Sequence, residues 1–299
     1  MATAASRPPA LHRAGAGPAA RQLLLGVLFL AVLALLFWPT LVWMADVFNK
    51  ADSFYSHGWL IPLASGWLVW QRREMLEHLT VRPSYAGLVL LVPSVLVHVL
   101  AHGWGVHLPS ALAMVTALWG LIWTLWGRDA VWALRFPLFF LLFMVPLPGI
   151  LLLAISFKMK LLAAALATHA LHLMGLSAVQ AGSTIHLPGV SVVVDDACSG
   201  LRSLISLIAL ATLWTALLPS SATRSQKLLM VAASMPIALA ANMVRIVILS
   251  LVAVIYGPHA AEGFIHYGSG FVVFGVALAA LAWLSRAMTR GSSAAGGAS

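Results

Sequence analysis

Apolar runs of nearly membrane-spanning length dominate the sequence and restrict the folds that the chain can adopt. Hydrophobic residues make up 62% of the 299 residues, and charged residues make up only 8%, whereas soluble domains carry about 25% charged residues. The chain also contains 12 tryptophans, a residue that concentrates at membrane–water interfaces. The pattern therefore predicts an all-α polytopic membrane protein and excludes an ordinary soluble domain.

The charge balance is explained by membrane topology better than by nucleic-acid binding. The 17 basic residues outnumber the 8 acidic residues and give a formal net charge of +9. These charges are spread thinly between the apolar runs and form no basic domain. The sequence therefore predicts that the protein is embedded in the lipid bilayer and that it has no nucleic-acid partner.

About eight transmembrane helices are predicted, since a spanning helix needs roughly 20 mainly apolar residues. The predicted spans are 23–44, 57–70, 86–101, 111–126, 136–145, 201–218, 228–251 and 268–283. The first is interpreted as an uncleaved signal-anchor with a kink at Pro39. We expect a basic, disordered cytoplasmic leader over 1–21, a single integral membrane domain over 22–290 and a flexible tail over 291–299.

The positive-inside rule predicts a cytoplasmic N-terminus. This orientation places most of the cations on the cytoplasmic side: Arg7, Arg13, Arg21, Arg72, Arg73, Arg82, Arg128, Arg135, Arg224, Lys227, Arg286 and Arg290. Five acidic residues fall on the opposite face, namely Asp46, Asp52, Asp195, Asp196 and Glu262. The asymmetry supports this orientation.

The segment between the fifth and sixth spans differs from the rest of the chain. An apolar helix over 150–174 contains Lys158 and Lys160. If it crossed the membrane, the cations that follow it would lie outside, so we predict an interfacial or re-entrant helix with snorkelling lysines. A plain spanning helix is the alternative. A β-rich stretch with turn residues over 187–190 follows and predicts a small extracytoplasmic β-hairpin, to which an extended peptide could add a strand.

Cys198 is the single cysteine of the chain and immediately precedes the sixth predicted span. One cysteine excludes an intramolecular disulfide framework and a cysteine-rich metal site, and the sequence predicts no cofactor and no metal. A helix N-terminus lowers the pKa of a thiol and favours the nucleophilic thiolate, whereas the nearby Asp195 and Asp196 act in the opposite direction. A compensating cation is therefore expected if the thiol reacts near neutral pH.

The next two spans supply such a cation and an imidazole at the same predicted depth. Arg245 lies toward the outer end of the seventh span, with Asn242 on the same helix face, and His266 immediately precedes the eighth. Ionisable residues inside a membrane usually line a bundle interior or a wet cavity. A thiol, a guanidinium and an imidazole at one membrane face form the set of groups that a cysteine acyl-transfer enzyme requires.

The residue pattern is compatible with more than one role for these groups. Cys198 would attack a peptide carbonyl and His266 would transfer protons. Arg245 would stabilise either the oxyanion or the thiolate and a substrate carboxylate. The backbone N–H groups of Ser199 and Gly200 are further oxyanion candidates.

Structural interpretations compete with the catalytic one. The cysteine would be a small packing residue, Arg245 a member of a buried ion pair and His266 an interfacial residue. Arg202 is interpreted as a supporting residue near the headgroups or paired with Asp195 or Asp196. Ser269 is interpreted as a helix-packing residue, and the other histidines, including His57, as structural or interfacial.

The ordered set of motifs resembles the exosortase and archaeosortase family of integral membrane transpeptidase-like proteins. The matching segments are Ala197-Cys198-Ser199-Gly200-Leu201-Arg202, Asn242-Met243-Val244-Arg245-Ile246, His266, His57-Gly58-Trp59-Leu60-Ile61-Pro62 and Pro146-Leu147-Pro148. His266 favours the bacterial branch, because archaeal relatives tend to carry arginine there.

The resemblance implies a Cys, Arg, His site on the periplasmic face of a multi-pass protein of the bacterial inner membrane. It also implies exported partner proteins that carry a C-terminal sorting signal of the Pro-Glu-Pro type, cleavage through a thioester, and release or transfer to an envelope acceptor. A transporter, or a non-catalytic partner in envelope polysaccharide export, is the alternative function.

Overall fold

A computed structural model describes residues 18–195, 199–219, 221–257, 259 and 264–296. The helices are α1 (Pro18–Leu36), α2 (Trp38–Asn49), α3 (Leu60–Gln71), α4 (Arg73–Glu77), α5 (Leu88–Gly103), α6 (His107–Trp126), α7 (Arg128–Phe140), α8 (Gly149–Leu173), α9 (Leu201–Leu217), α10 (Arg224–Tyr256) and α11 (Phe264–Gly296). Short 3-10 helices occur at Ser56–Trp59, Tyr85–Gly87 and Leu141–Met144. Most of the predicted leader lies outside the described residues.

The predicted all-α polytopic membrane fold is confirmed. Among the described residues, five helices are long and apolar enough to cross a membrane, and the bent α1–α2 pair makes a sixth if it is one span. They are α5 with its preceding 3-10 turn, α6, α8, α10 and the 268–288 part of α11. Three of the eight predicted spans correspond to α3, α7 and α9, which have 12, 13 and 17 residues and are too short to be among these helices.

The first span is bent by 68° between Leu36 and Trp38. Pro39 occupies the first turn of α2. Proline lacks an N–H and its ring collides with the preceding turn, so a continuous α-helix is disfavoured at this point. The kink that the sequence predicts at Pro39 is therefore confirmed, and its centre lies two residues before the proline.

The cations that the sequence assigns to one side of the membrane meet at one end of the helix bundle. Arg72, Arg135 and Lys227 line the same cavity. Nearby, Gln226 at the start of α10 donates to the carbonyl of Met288 at 3.1 Å. We call the end of the bundle that carries Arg72, Arg135 and Lys227 the basic end. Helices α9 and α10 therefore run antiparallel between this end and the opposite one, and α11 returns to it.

Helix α8 lies against the other end of the bundle. Leu152, near its start, packs in a core cluster with Phe48, Tyr55 and Leu201, and Leu171, near its end, packs with Leu249 in the last third of α10. Length and composition would allow α8 to cross a membrane. However, both of its halves contact residues away from the basic end, which is the packing expected of the predicted interfacial or re-entrant helix.

A three-stranded antiparallel sheet follows α8, with strands β1 (Val179–Ala181), β2 (Thr184–Leu187) and β3 (Val190–Val193) in that order. Leu187 pairs with Val190 across Pro188-Gly189, so the predicted hairpin turn is confirmed and β1 adds one strand to it. The inner face of the sheet packs on α8 and α10 through Ile185 and Leu187. The sheet is thereby fixed against α8 and α10.

Candidate active site

Arg245 is a buried arginine at the junction of α10 and α11. Its residue exposure is 9%, and its Nε donates a hydrogen bond to Oγ of Ser269 at 3.3 Å. A Cβ at Gly270 would lie 3.6 to 3.8 Å from the guanidinium, so the backbone of α11 passes directly beside this group. The guanidinium is therefore held by α11 as well as by its own helix, as a positioned charge requires.

The start of α9 contacts α10 one turn before Arg245. Gly200 has a left-handed backbone with φ of 77°, and a Cβ at this position would lie 2.9 Å from Cγ and Nδ2 of Asn242. A glycine is required here by both the positive φ and the close approach. The contact fixes the segment immediately after Cys198 against the face of α10 that carries Asn242 and Arg245.

We predict that Gly200→Ala destabilises the protein by more than the left-handed backbone alone explains. A non-glycine residue in this conformation costs about 1–2 kcal/mol, and the new Cβ would also force Asn242 to move. Gly175→Ala is the matched control, because Gly175 has φ of 84° and its Cβ would meet open space. Thermal unfolding of the two purified variants measures the difference, and equal melting temperatures would contradict the prediction.

Helices α9, α10 and α11 enclose a narrow cavity next to these groups. Its volume is about 10 Å³, close to the minimum that holds one water molecule. The polar residues that line it are Ser203, Asn242 and Arg245, and Gly270 and apolar residues complete the wall. Ser203 on α9 and Asn242 and Arg245 on α10 therefore share one small cavity, and α11 closes its apolar side.

The structure locates the remaining predicted site residues to different extents. Cys198 lies outside the described residues, as does Asp196. His266 lies in the first turn of α11, three positions before Ser269, and its side chain is outside the described part. Ser199 is fully buried, and its Oγ accepts a hydrogen bond from the N–H of Leu201 at 3.3 Å. The proximity of the three predicted catalytic groups therefore stays a prediction.

Arg202 is paired with a residue that the sequence analysis did not consider. Its Nη2 lies 4.0 Å from Oδ1 of Asp52 and donates to the carbonyl of Ala51 at 3.5 Å. The predicted partners were Asp195 and Asp196. Asp52 is near Arg202 because the loop after α2 folds over the first turn of α9, and Asp196 lies outside the described residues.

His57 forms a second link between that loop and α9. Its Nδ1 lies 3.1 Å from Oγ of Ser206, and its Nε2 is buried with no hydrogen-bond partner among the described residues. Tyr55 stacks on the same ring with 5.8 Å between centroids and accepts a hydrogen bond from the N–H of Leu147 at 3.2 Å. Burial raises the pKa of Tyr55 and the Leu147 hydrogen bond lowers it, so the phenol stays protonated at neutral pH.

These contacts join segments that are far apart in sequence. The His57 segment, the Pro146-Leu147-Pro148 segment and the first two turns of α9 form one connected polar junction at the end of the bundle away from the basic end. Sequence reasoning assigned His57 a structural role and Ser269 a packing role. Two sequence signals could have indicated the contacts of these residues. His57 is a polar residue just before the start of a helix, and Ser269 follows His266 by three residues, which places both positions on one helix face.

Comparison with known proteins identifies the family. Residues 43–283 match the family model described as transmembrane exosortase, which covers most of the chain and all of the segments in the polar junction. No curated protein and no solved structure gives a significant match. Because the family model spans every helix from α3 to α10 and most of α11, the chain belongs to the transmembrane exosortase family, whose members are membrane enzymes of protein sorting.

Proposed function

We propose that this exosortase cleaves the C-terminal sorting signals of exported proteins through a thioester intermediate on Cys198. The observation that carries the proposal is the contact of Gly200 with Asn242, one turn from Arg245. Cys198 precedes Gly200 by two residues. The thiol-bearing segment therefore ends against the helix face that presents the buried guanidinium.

Arg245 is suited to a charge that appears during the reaction. A planar guanidinium donates several hydrogen bonds in a fixed geometry, and the contacts with Ser269 and Gly270 hold this one in place. Donors that are already positioned stabilise a developing oxyanion without reorganising. We assign Arg245 to the oxyanion of the tetrahedral intermediate, together with the backbone N–H groups of Ser199 and Gly200.

The proposed reaction has two halves. In the first half, the Cys198 thiolate attacks the scissile carbonyl carbon and forms a C–S bond. Collapse of the tetrahedral intermediate breaks the C–N bond, and the leaving amine takes a proton from His266. In the second half, His266 accepts a proton from water or from an acceptor amine, which attacks the thioester. The C–S bond then breaks and the thiolate returns.

The position of His266 fits this assignment. It precedes Ser269 by three residues in α11, a spacing that places two positions on one face of a helix. Ser269 in turn contacts Arg245. Position 266 is thus assigned to the helix face that carries Ser269, where a proton carrier for the leaving amine is needed.

The small sheet offers a place for the substrate segment. Strand β3 pairs with β2 along one edge, no described strand pairs with its other edge, and the chain continues from β3 directly toward Cys198. An extended peptide that adds to such an edge gains backbone hydrogen bonds. We assign this edge to the residues that precede the scissile bond, at the periplasmic face of the bacterial inner membrane.

Analysis of a substrate's C-terminus tests the proposed function most directly. We expect intact-mass spectrometry to show that an exported protein with a Pro-Glu-Pro type signal loses its C-terminal helix when this enzyme is co-produced. The new C-terminus will be a free acid if water resolves the thioester, and it will carry an added group if an acceptor amine does. A substrate that keeps its C-terminal helix in the presence of the folded, inserted enzyme would refute the proposal and favour a transport or assembly role.

A further inference from the structure

An open cavity at the basic end takes no part in the proposed reaction. Its volume is about 550 Å³, and it lies between the ends of α3, α7, α9 and α10. Three cations and one acid line it, namely Arg72, Arg135, Lys227 and Asp129. The lining therefore carries a net charge of +2 and is suited to an anion.

The cations of this cavity are poorly compensated by the protein. Within the described part of the chain, none of the three lies within ion-pair distance of an acidic side chain. Nη1 of Arg72 is buried and has no hydrogen-bond partner among the described residues. Burial lowers the pKa of Arg72, and the neighbouring charge of Arg135 lowers it further. An anion that entered the cavity would supply the missing hydrogen bonds and offset this repulsion.

The residues around the cavity are of the types that occur at the depth of the lipid headgroups. The guanidinium of Arg135 lies 5.2 Å from the ring centroid of Trp132, and that of Arg73 lies 4.5 Å from the ring centroid of Trp70. Both tryptophans are exposed, and exposed tryptophan beside arginine is typical of the membrane interface. Phe136 also lines the cavity and adds an apolar surface next to the charges.

We propose that the phosphate of an anionic glycerophospholipid binds in this cavity and contacts Arg72, Arg135 and Lys227. The cationic lining and the unsatisfied guanidinium nitrogen explain why a phosphate is bound. The apolar wall and the interfacial tryptophans favour a lipid phosphate over a free one. Basic pockets between membrane helices bind anionic headgroups in this way.

The test measures lipid binding and uses no activity assay, so its result does not depend on the proposed function. The full-length protein, purified in a neutral detergent, is titrated with dioleoylphosphatidylglycerol, and retained lipids are counted by native mass spectrometry. We expect saturable binding of phosphatidylglycerol and no comparable binding of phosphatidylcholine. Each of Arg72→Gln and Lys227→Gln is expected to weaken binding about fivefold.

Arg73→Gln is the matched control, since Arg73 is adjacent in sequence but does not line the cavity. Equal loss of lipid in Arg73→Gln and Arg72→Gln would show that only diffuse surface charge attracts the lipid, and would overturn the proposal. Inorganic phosphate that raises the melting temperature as much as phosphatidylglycerol does at equal concentration would also overturn it. If Arg72→Gln does not fold, the exposed Arg135→Gln together with Lys227→Gln decides the question.

Discussion

We expect Cys198→Ala to abolish substrate processing and to leave the protein folded and inserted. The substitution removes the sulfur that forms the acyl-enzyme, so the rate should fall about 10⁴-fold or more, as when the nucleophile of a covalent catalyst is removed. A transporter or assembly factor would tolerate a change of one small side chain. The measurement is the fraction of substrate that retains its C-terminal helix, determined by intact-mass spectrometry.

The folded state of the variant is checked separately. Thermal unfolding and membrane fractionation of Cys198→Ala should match the wild type, because alanine is smaller than cysteine and carries no polar group. A thioester-linked adduct of the substrate, trapped on the wild type by rapid acid quench, is expected to be absent from the variant. Processing that continues at the wild-type rate in folded Cys198→Ala would end the proposal that this residue is the nucleophile.

Arg245→Gln lowers the turnover number by about 10²–10³-fold, the range measured when one oxyanion donor is removed. The loss should appear in kcat more than in KM, because the charge that Arg245 is assigned to stabilise exists in the transition state and is absent from the bound substrate. Arg245→Lys keeps the positive charge and removes the planar fork of donors. We therefore expect Lys to restore only part of the rate.

Ser269→Ala tests whether the reaction depends on how the guanidinium of Arg245 is positioned, because the charge itself is kept. This variant removes the hydroxyl that accepts from Nε of Arg245 at 3.3 Å and leaves the guanidinium intact. We expect about a tenfold lower kcat, since a hydrogen bond to a charged group contributes roughly 1.5–3 kcal/mol. A purely structural Arg245 would instead give equal melting-temperature losses in Arg245→Gln and Arg245→Lys, with the activity of each tracking its folded fraction.

Much of the fold follows from patterns that are local in sequence. The length of an apolar run gives a helix, the proline at 39 gives the bend, and Pro188-Gly189 between two β-rich stretches gives the hairpin turn. The grouping of Arg72, Arg135 and Lys227 at one end follows from the positive-inside rule. Each of these features depends on physical chemistry that acts within a few residues or on the membrane as a whole.

The contacts between distant segments were less accessible to sequence reasoning. Local spacing directs attention to acids a few residues from Arg202, whereas the structure also brings this side chain near Asp52, which is 150 positions distant in the chain. Nothing in the local pattern around Asp52 indicates that its loop crosses α9. Similarly, Ser269 looked like a packing residue because its partner Arg245 lies on another helix. Sequence spacing predicts contacts along a helix, and it does not predict the rotation of one helix against the next.

The length of α10 sets the depth at which its arginine lies. A helix of 33 residues is about 50 Å long, whereas the hydrocarbon core is about 30 Å thick. If the core begins near Leu228, where the predicted span starts, it ends about 20 residues later, so Arg245 stands just inside its outer boundary. For the proposed role of Arg245, hydrophobic mismatch is then expected to affect the reaction rate, because a thicker bilayer would immerse the guanidinium in hydrocarbon and a thinner one would leave it in solvent.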